Sequence, residues 1–483
     1  MSAIIVVILY FVVCLIIGFY MQKRVVDSAG YFLAGRGLNS WVAGVGRFAT
    51  VASAFTFLGM LGLGYKLGFP FLVSIAVGLL FGFLFTQLLL SEIRRSGAVS
   101  ISDFFGKRYE SSPIMLVASI IAILAMFPHI IAQIKGAGVV GSMVLGMPTS
   151  VSMVVLTAVF VAYVVMGGLF AISWTDVMQG VLLLVFMAIP AIGIIASFGG
   201  PSQVFEAAIL ASPKFLQGPL PIWSHLGICV VFMGALMTFP AFVFWSMTTR
   251  DTGTLRKSFV VALVMSIVVY IAVAFVLAAG YIWAPGLERP DGVYFVVLKH
   301  LFGSGIIVGL GAAAALSAIM SSTDGMLIAI SAIVGNDIYK LINKRPSEKQ
   351  LLRVGRIVSI SVAAIGLLFA FRTPALIGQL TALAAGSAAS AFVFPMVLGV
   401  WWKRMNGTGA IIGMIGGYLI FILLALFGKM PPQTPILVSI PASALFCVIG
   451  SLVTSPSPSQ ADIVDKLHTA NLLATASESV EGS

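Results

Sequence analysis

Long apolar segments follow one another along almost the whole chain, and they restrict its fold more than any other feature of the sequence. They are about 18 to 30 residues long, whereas a helix needs about 20 apolar residues to cross a bilayer and a barrel strand only about ten. Hydrophobic residues make up 60% of the 483 residues and charged residues only 9%, which leaves too few charges to keep such a surface in water. The sequence therefore predicts an all-α polytopic membrane protein that is embedded in the lipid bilayer.

We predict about thirteen transmembrane spans from these segments. They cover residues 3–22, 41–65, 69–91, 113–145, 149–167, 175–198, 222–248, 258–284, 302–339, 354–371, 374–402, 407–428 and 435–454. If the N-terminus is outside, most of the 27 lysines and arginines fall on the cytoplasmic side, as the positive-inside rule requires. This distribution predicts a protein of the cell (inner) membrane with its C-terminus in the cytoplasm. It also explains the net charge of +11 without a nucleic-acid partner.

Two of the predicted spans are interrupted near their centres. The second contains the run 49–59 followed by Gly62 and Gly64, and the seventh contains Gly234 and Pro240. Glycine and proline weaken a helix, and the backbone groups that they free survive at mid-membrane only beside a cavity or a site. Because the breaks are five spans apart, the second copy enters the membrane from the opposite side, as in the inverted repeats of transporters.

This symmetry predicts the organisation of the chain. A peripheral first span and a cytoplasmic loop occupy residues 1–40, the first inverted repeat 41–198, the second inverted repeat 222–402, the last two peripheral spans 403–454, and a flexible cytoplasmic tail 455–483. The tail is rich in Ser, Pro and Ala, a composition typical of mobile segments. We expect the functional unit to be a monomer.

A group of small and hydroxyl-bearing residues lies inside the ninth predicted span. Ala318, Ser321 and Ser322 are spaced i, i+3, i+4, so a helix places one backbone carbonyl and two hydroxyls on one face. A hydroxyl in hydrocarbon is costly unless it hydrogen-bonds or binds an ion, and neutral oxygens suit an alkali cation. The same spacing also lets transmembrane helices pack closely. The spacing alone therefore leaves an ion site and a packing face both open.

Several stretches, in order along the chain, carry a resemblance to a known family. They are Tyr31-Phe32-Leu33-Ala34-Gly35-Arg36, Ser53-Ala54-x-Thr56-Phe57-Leu58-Gly59, Gly64-Tyr65-Lys66-x-Gly68, Gly167-Gly168-Leu169-x-Ala171-x-x-x-Thr175-Asp176-x-x-Gln179-Gly180, Met320-Ser321-Ser322, Asn336-Asp337-Ile338-Tyr339 and Phe394-Pro395-x-x-Leu398-Gly399-x-x-Trp402-x-Arg404. Together they resemble the sodium:solute symporter family. The third and the last stretch, the latter with Gly409-Ala410, are similar to its pantothenate and monocarboxylate branch.

The resemblance implies a leucine-transporter-type fold with five plus five inverted spans, and sodium-driven uptake of a small organic solute. It implies that Na⁺ is the coupling ion and that five neutral oxygens bind it. These are the carbonyls of Ala49, Ala52 and Ala318 and the hydroxyls of Ser321 and Ser322. Such oxygens replace the water shell of the ion and still release it.

Two acidic residues are candidates for the ion path. Asp176 matches the acidic residue that the family places near the ion path, and it could equally cap the start of the sixth span. Asp324 lies beside the predicted sodium site, where some family members have serines that hold a second sodium ion. A carboxylate at this position would strengthen ion binding, carry a proton or pair with Lys135, and the sequence leaves these roles open.

The predicted solute-binding residues lie around the two breaks and in the fourth span. They are Ser53, Thr56, Gln133, Lys135, Phe239, Phe242 and Trp245. One relative has a cation in the fourth span that binds a substrate carboxylate, so Lys135 is a candidate for that role; alternatively it extends to the membrane interface. The carboxylate-transporting branches typically have Pro-His and an arginine five residues after that proline, whereas this chain has Pro240-Ala241 and Trp245.

These observations together predict a sodium-coupled importer of a small carboxylate, such as pantothenate or a short monocarboxylate, that works by alternating access. The alternatives are an importer of an amino acid such as proline, and a symporter coupled to protons. The sequence contains no catalytic pattern such as His-Glu-x-x-His and no repeated filter loop, so we expect neither an enzyme nor a channel.

Overall fold

The computed structural model describes residues 2–469 except 304, 429, 432 and 456. Apart from one isolated bridge between Leu38 and Thr249, the regular structure in these residues is helical. The first half contains α1 (Ser2–Met21), α2 (Ser28–Leu33), α3 (Ser40–Val51), α4 (Met60–Leu67), α5 (Phe69–Arg95), α6 (Ile101–Tyr109), α7 (Ser112–Val144), α8 (Thr149–Phe198) and α9 (Pro201–Ala211). The second half contains α10 (Ile222–Thr238), α11 (Pro240–Phe244), α12 (Thr252–Trp283), α13 (Val293–Phe302), α14 (Ile306–Ala332), α15 (Tyr339–Ile342), α16 (Glu348–Arg372), α17 (Ile377–Trp401), α18 (Gly407–Phe427), α19 (Ile436–Val453) and α20 (Pro458–Thr469).

The number of spans depends on how the longest helix is counted. Within the described ranges, 11 helices are long and apolar enough to cross a membrane, and a bent pair formed by α3 and α4 raises the number to 12. Helix α8 has 50 residues and is broken at Gly168, where φ is 52° and ψ is −147°. A straight helix of that length would be about 75 Å long, far more than one bilayer core of about 30 Å. The predicted spans 149–167 and 175–198 lie on the two sides of this break.

Both predicted mid-membrane breaks are present. Helix α3 ends at Val51, Ala52 leaves the helical region with φ −80° and ψ 88°, and a π-helical turn over Phe55–Gly59 leads into α4. The segments Ser40–Val51 and Phe55–Leu67 are bent by 46° relative to each other. The second break lies between α10 and α11, where Phe239 is extended (φ −62°, ψ 124°) and Pro240 begins the next helix. The residue before a proline disfavours helical geometry, which explains the position of this break.

Helix α14 occupies the centre of the bundle. It is buried on all sides from Gly311 to Ala332 and contacts α1, α3, α7, α8 and α16. Its apolar, alanine-rich sequence allows this position, since a helix that is hydrophobic all round is buried, and small residues let neighbouring backbones approach closely. The predicted ion-binding residues are therefore in the best-enclosed part of the molecule.

Part of the tail that the sequence predicts to be flexible, residues 455–483, is helical. Residues Pro458–Thr469 form helix α20, which packs against α5, α6 and α17. Arg95 donates hydrogen bonds to the carbonyls of Leu467 and His468 at 3.1 and 3.3 Å, and Arg108 donates to the carbonyl of Gln460 at 3.0 Å. Residues 470–483 lie outside the described residues.

Candidate ion and solute sites

Helices α3 and α14 meet through the hydroxyls of two serines. The Ser321 hydroxyl donates to the carbonyl of Ala49 at 2.7 Å and is 3.3 Å from the carbonyl of Ala318. The Ser322 hydroxyl donates to the carbonyl of Thr50 at 2.8 Å. All of these residues are buried. The structure thus brings together Ala49, Ala318, Ser321 and Ser322, four of the five residues predicted to bind sodium.

The break in the second span explains why these carbonyls are free to accept. The last four carbonyls of a helix have no partner within the helix, and α3 ends one residue after Thr50. The carbonyl of Ala52, the fifth predicted ligand, accepts no hydrogen bond within the described residues. Thr50, which was not predicted, is the residue whose carbonyl faces the Ser322 hydroxyl. The neutral oxygens gathered here have the chemistry that an alkali cation requires.

A second buried polar cluster lies between α1, α8 and α14. The Tyr163 hydroxyl donates a hydrogen bond to one carboxylate oxygen of Asp324. The other oxygen of Asp324 and both oxygens of Asp176 are buried without a hydrogen-bond partner. Gln179 donates to the Tyr10 hydroxyl at 3.0 Å. The charge of Asp324 acts on Asp176, so the two predicted ion-path residues belong to one group of buried oxygens.

Two of the alternatives for these acids do not fit the structure. Asp176 is fully buried and lies inside α8, two turns after the break at Gly168, so it does not cap a helix at the interface. Asp324 forms its hydrogen bond with Tyr163 and makes no ion pair with Lys135. Two carboxylates that share a buried space need a cation or a proton to offset their charge.

A small cavity lies beside both breaks. It is lined by Val51, Ser53, Phe55, Leu79, His129, Phe232, Ala235, Phe239, Phe242, Tyr270, Thr381 and Ala385. Its volume of about 30 Å³ holds one or two water molecules, so an organic solute requires the surrounding helices to move. The phenylalanines make its walls mainly apolar. Ser53, Phe239 and Phe242 were predicted to lie here, whereas the other lining residues were not.

Three other predicted solute-binding residues are buried next to the breaks but do not line the cavity. The side-chain oxygen of Gln133 accepts a hydrogen bond from the backbone N–H of Ala54 at 3.0 Å, and its amide nitrogen has no partner. The hydroxyl of Thr56 is also buried without a partner. The Trp245 indole donates to the Thr50 hydroxyl at 2.8 Å. Gln133 therefore holds the backbone of the first break, and Trp245 holds the side chain of Thr50 just before it.

Lys135 does not line the cavity, and it does not pair with Asp324. Its ammonium group donates to the carbonyls of Thr373, at 2.7 Å, and Ala375, both just after the end of α16. Its positive charge also acts on Asp291: burial raises the pKa of that carboxyl to about 6, and the charges of Lys66 and Lys135 oppose the rise. These contacts place Lys135 at the end of the bundle where α16 ends and α17 begins.

Arg47 is a buried cation that was not among the predicted site residues. It is only 2% exposed and lies between α3, α11 and α12. The sequence contains a signal that could have marked Arg47 as a functional residue. It lies inside the predicted span 41–65, and an ionisable residue within a span is a functional candidate by default.

Two helices broken at mid-membrane, with freed carbonyls facing a pair of serines, define a secondary transporter that couples the movement of a solute to that of a cation. The comparison with known proteins agrees with this class. The profile of the sodium:solute symporter family matches residues 31–417, so the chain belongs to that family. Family membership makes it a sodium-coupled transporter of a solute.

Individual relatives differ in the solutes for which they are named. The chain is 26% identical over 464 residues to the osmoregulated proline transporter of Bacillus subtilis, covering 92% of this chain and 93% of the relative. It is 28% identical over 466 residues to the sodium/pantothenate symporter of Escherichia coli, covering 92% and 94%.

Solved structures share the fold. A Na⁺-coupled sialic acid symporter in a substrate-bound outward-open state superposes with a TM-score of 0.80 at 22% identity, covering 94% of this chain and 98% of that one. A nucleobase-cation-symport-1 family transporter in a closed conformation gives 0.57 at 15% identity, covering 90% and 98%. These neighbours show that the chain has the leucine-transporter-type fold with inverted repeats.

Proposed function

We propose that this protein is a symporter that uses a sodium gradient to import a small carboxylate by alternating access. The observation that carries the proposal is the contact of the Ser321 and Ser322 hydroxyls with the carbonyls of Ala49 and Thr50. A sodium ion that replaces these hydrogen bonds would join α3 to α14. In the proposal, Ala49, Ala52, Ala318, Ser321 and Ser322 hold the ion, and the N-terminus is outside.

The donors near the cavity support a carboxylate as the solute. The amide nitrogen of Gln133 and the hydroxyls of Thr56 and Thr381 are buried without partners, and no acidic residue lines the cavity. Unpartnered buried donors favour a ligand with acceptor oxygens, while the phenylalanine walls suit an apolar body. Pantothenate and short monocarboxylates have both features.

Uptake into proteoliposomes tests this function. Purified protein is reconstituted, and entry of labelled pantothenate, propionate or proline is followed with an inward sodium gradient, with a potassium gradient and with a proton gradient. We expect a carboxylate to accumulate only with the sodium gradient. Accumulation of proline alone would replace the carboxylate with an amino acid, and accumulation without sodium would remove the proposed coupling ion.

Proton coupling is a second candidate, because Asp176 and Asp324 are buried together with three unpartnered carboxylate oxygens. In this alternative, one of these carboxyls binds and releases a proton in each transport cycle. A second sodium ion bound at the same place would also offset the negative charge of the two carboxylates.

We expect Asp324→Asn to reduce uptake roughly tenfold or more, since a hydrogen bond to a charged group contributes about 1.5–3 kcal/mol and 1.4 kcal/mol corresponds to a factor of ten. We also expect the variant to lose the pH dependence of the wild type at fixed sodium, because asparagine binds no proton. Asp251→Asn is the matched control: this exposed N-cap of α12 can be replaced by asparagine, which also caps helices. If Asp324→Asn retains the wild-type pH profile and uptake rate, the carboxyl plays no part in coupling.

Lys135→Met distinguishes a role of this lysine in stability from a role in binding the solute. From its bonds to the carbonyls of Thr373 and Ala375, we expect the variant to lose about 1–3 kcal/mol of stability while its half-saturation constant for the solute changes less than twofold. Thermal unfolding and concentration-dependent uptake measure the two quantities. A sharp rise in the half-saturation constant with unchanged stability would instead make Lys135 a ligand of the solute.

A further inference from the structure

Arg47 is a buried cation with no anion beside it. Its side chain is 2% exposed, and no ion pair to it occurs within the described residues. A buried charge is costly unless it is paired. The absence of a protein carboxylate next to this guanidinium leaves room for one that arrives with a ligand.

The contacts of the guanidinium are all with neutral groups. One terminal nitrogen donates to the carbonyl of Phe242 at 3.2 Å, and the other donates to the Ser246 hydroxyl at 3.1 Å. The central carbon lies 4.1 Å from the centre of the Phe259 ring. The third nitrogen, Nε, is buried without a partner. The side chain is thus positioned by long, neutral hydrogen bonds, and one of its donors remains unused.

The position of Arg47 links it to both broken helices and to the solute cavity. Arg47 is one turn before Val51 on α3, and Phe242 is on α11; Val51 and Phe242 both line the cavity. The guanidinium therefore lies directly behind the cavity wall. It is between α3 and α11, the halves of the two broken helices that the predicted topology places on the cytoplasmic side. Separation of α11 from α3 would release the bonds to Phe242 and Ser246 and open the guanidinium to the cavity.

We propose that Arg47 binds the carboxylate of the solute as it leaves the cavity toward the cytoplasm. Arginine presents parallel N–H groups that match the two oxygens of a carboxylate, and such a pair is stronger than the neutral bonds that it would replace. This inference rests on the proposed transport of a carboxylate, and it adds an anion-binding residue on the exit side of the same site.

The test compares a carboxylate with its neutral amide in the wild type and in Arg47→Gln. The probes are propionate and propionamide, supplied to proteoliposomes under a sodium gradient, together with thermal shifts of the purified protein. We expect wild-type uptake of propionate to exceed that of propionamide, and we expect Arg47→Gln to lose roughly tenfold or more of its propionate uptake while the sodium-dependent thermal shift persists. Propionamide uptake should not change.

Arg108→Gln is the control for removal of a buried arginine. Arg108 is 1% exposed, and all three of its nitrogens donate to the carbonyls of Gly399, Met405 and Gln460, away from the breaks. We expect that variant to lower stability without changing the ratio of propionate to propionamide uptake. Arg47→Lys, which keeps the charge but not the paired donors, should retain folding and lie between the wild type and Arg47→Gln.

The outcomes distinguish this inference from the proposed function. If the wild type takes up propionate and Arg47→Gln retains the full rate and selectivity, Arg47 is a structural anchor and the inference is overturned. If Arg47→Gln does not fold, unchanged propionate selectivity in Arg47→Lys overturns it in the same way. If the wild type itself transports no carboxylate, the proposed function fails and the inference fails with it.

Discussion

Ser321→Ala and Ser322→Ala are each expected to raise the sodium concentration for half-maximal uptake by about tenfold, while the fold remains intact. Removal of one partner from a buried polar contact costs about 1–3 kcal/mol, and 1.4 kcal/mol corresponds to a factor of ten in an equilibrium constant. Alanine is the best helix former, so α14 itself should not suffer. Uptake measured over a range of sodium concentrations, at saturating solute, gives the comparison.

Thr323→Val is the matched control for these serines. Thr323 is the next residue on α14, but its hydroxyl donates within its own helix, to the carbonyl of Ile319 at 2.7 Å. We expect its replacement to leave the sodium dependence unchanged. Equal sodium dependence in all three variants and in the wild type, with normal insertion, would mean that the serines only pack α14 against α3, the alternative that their spacing left open.

Gly46→Ala is expected to abolish transport almost completely. A Cβ atom at Gly46 would lie 2.3 Å from a ring carbon of Trp245, a fully buried side chain. The indole is rigid and donates to the Thr50 hydroxyl, so it cannot move aside without disturbing the carbonyls opposite Ser321 and Ser322. Overpacking of this kind costs about 1–3 kcal/mol, and here the strain falls on the ion site.

The measurements for Gly46→Ala are sodium-dependent thermal shift and uptake. Gly193→Ala is a suitable control, since Gly193 is a half-buried glycine of α8 whose added Cβ would have its nearest neighbour at 3.6 Å. That change should be neutral or slightly stabilising, because alanine is about 1 kcal/mol better than glycine in a helix. Normal sodium dependence in Gly46→Ala would show that the contact between Gly46 and Trp245 is not part of the ion site.

The large features of this fold could be predicted because they depend on local chemistry. Apolar length determines the spans, and Pro240 determines the position of the break at Phe239. The spacing of Ala318, Ser321 and Ser322 places three oxygens on one helical face whatever surrounds the helix. The family resemblance then supplied the facing helix, and the contact between Ser321 and Ala49 agrees with it.

The details that could not be predicted depend on how neighbouring helices are rotated. Spacing along α3 does not decide whether Thr50 or Ala52 faces Ser322, since the chain leaves the helix between them. Lys135 and Arg47 are both cations within spans, yet one contacts carbonyls at the end of α16 and the other crosses to α11. Only the packing of distant segments determines such partners, so sequence patterns reveal that a cation is present but not what it contacts.

The docking of α20 has a consequence for the transport cycle. Its backbone carbonyls accept hydrogen bonds from arginines of α5 and α6, and His468 contacts the carbonyl of Val400 on α17 at 3.1 Å. Helices α5 and α17 belong to different predicted repeats, so α20 connects the two predicted repeats. In the proposed alternating access, the contacts of α20 resist any separation of α5 from α17, so we expect a chain that ends before Pro458 to exchange between its two orientations more freely.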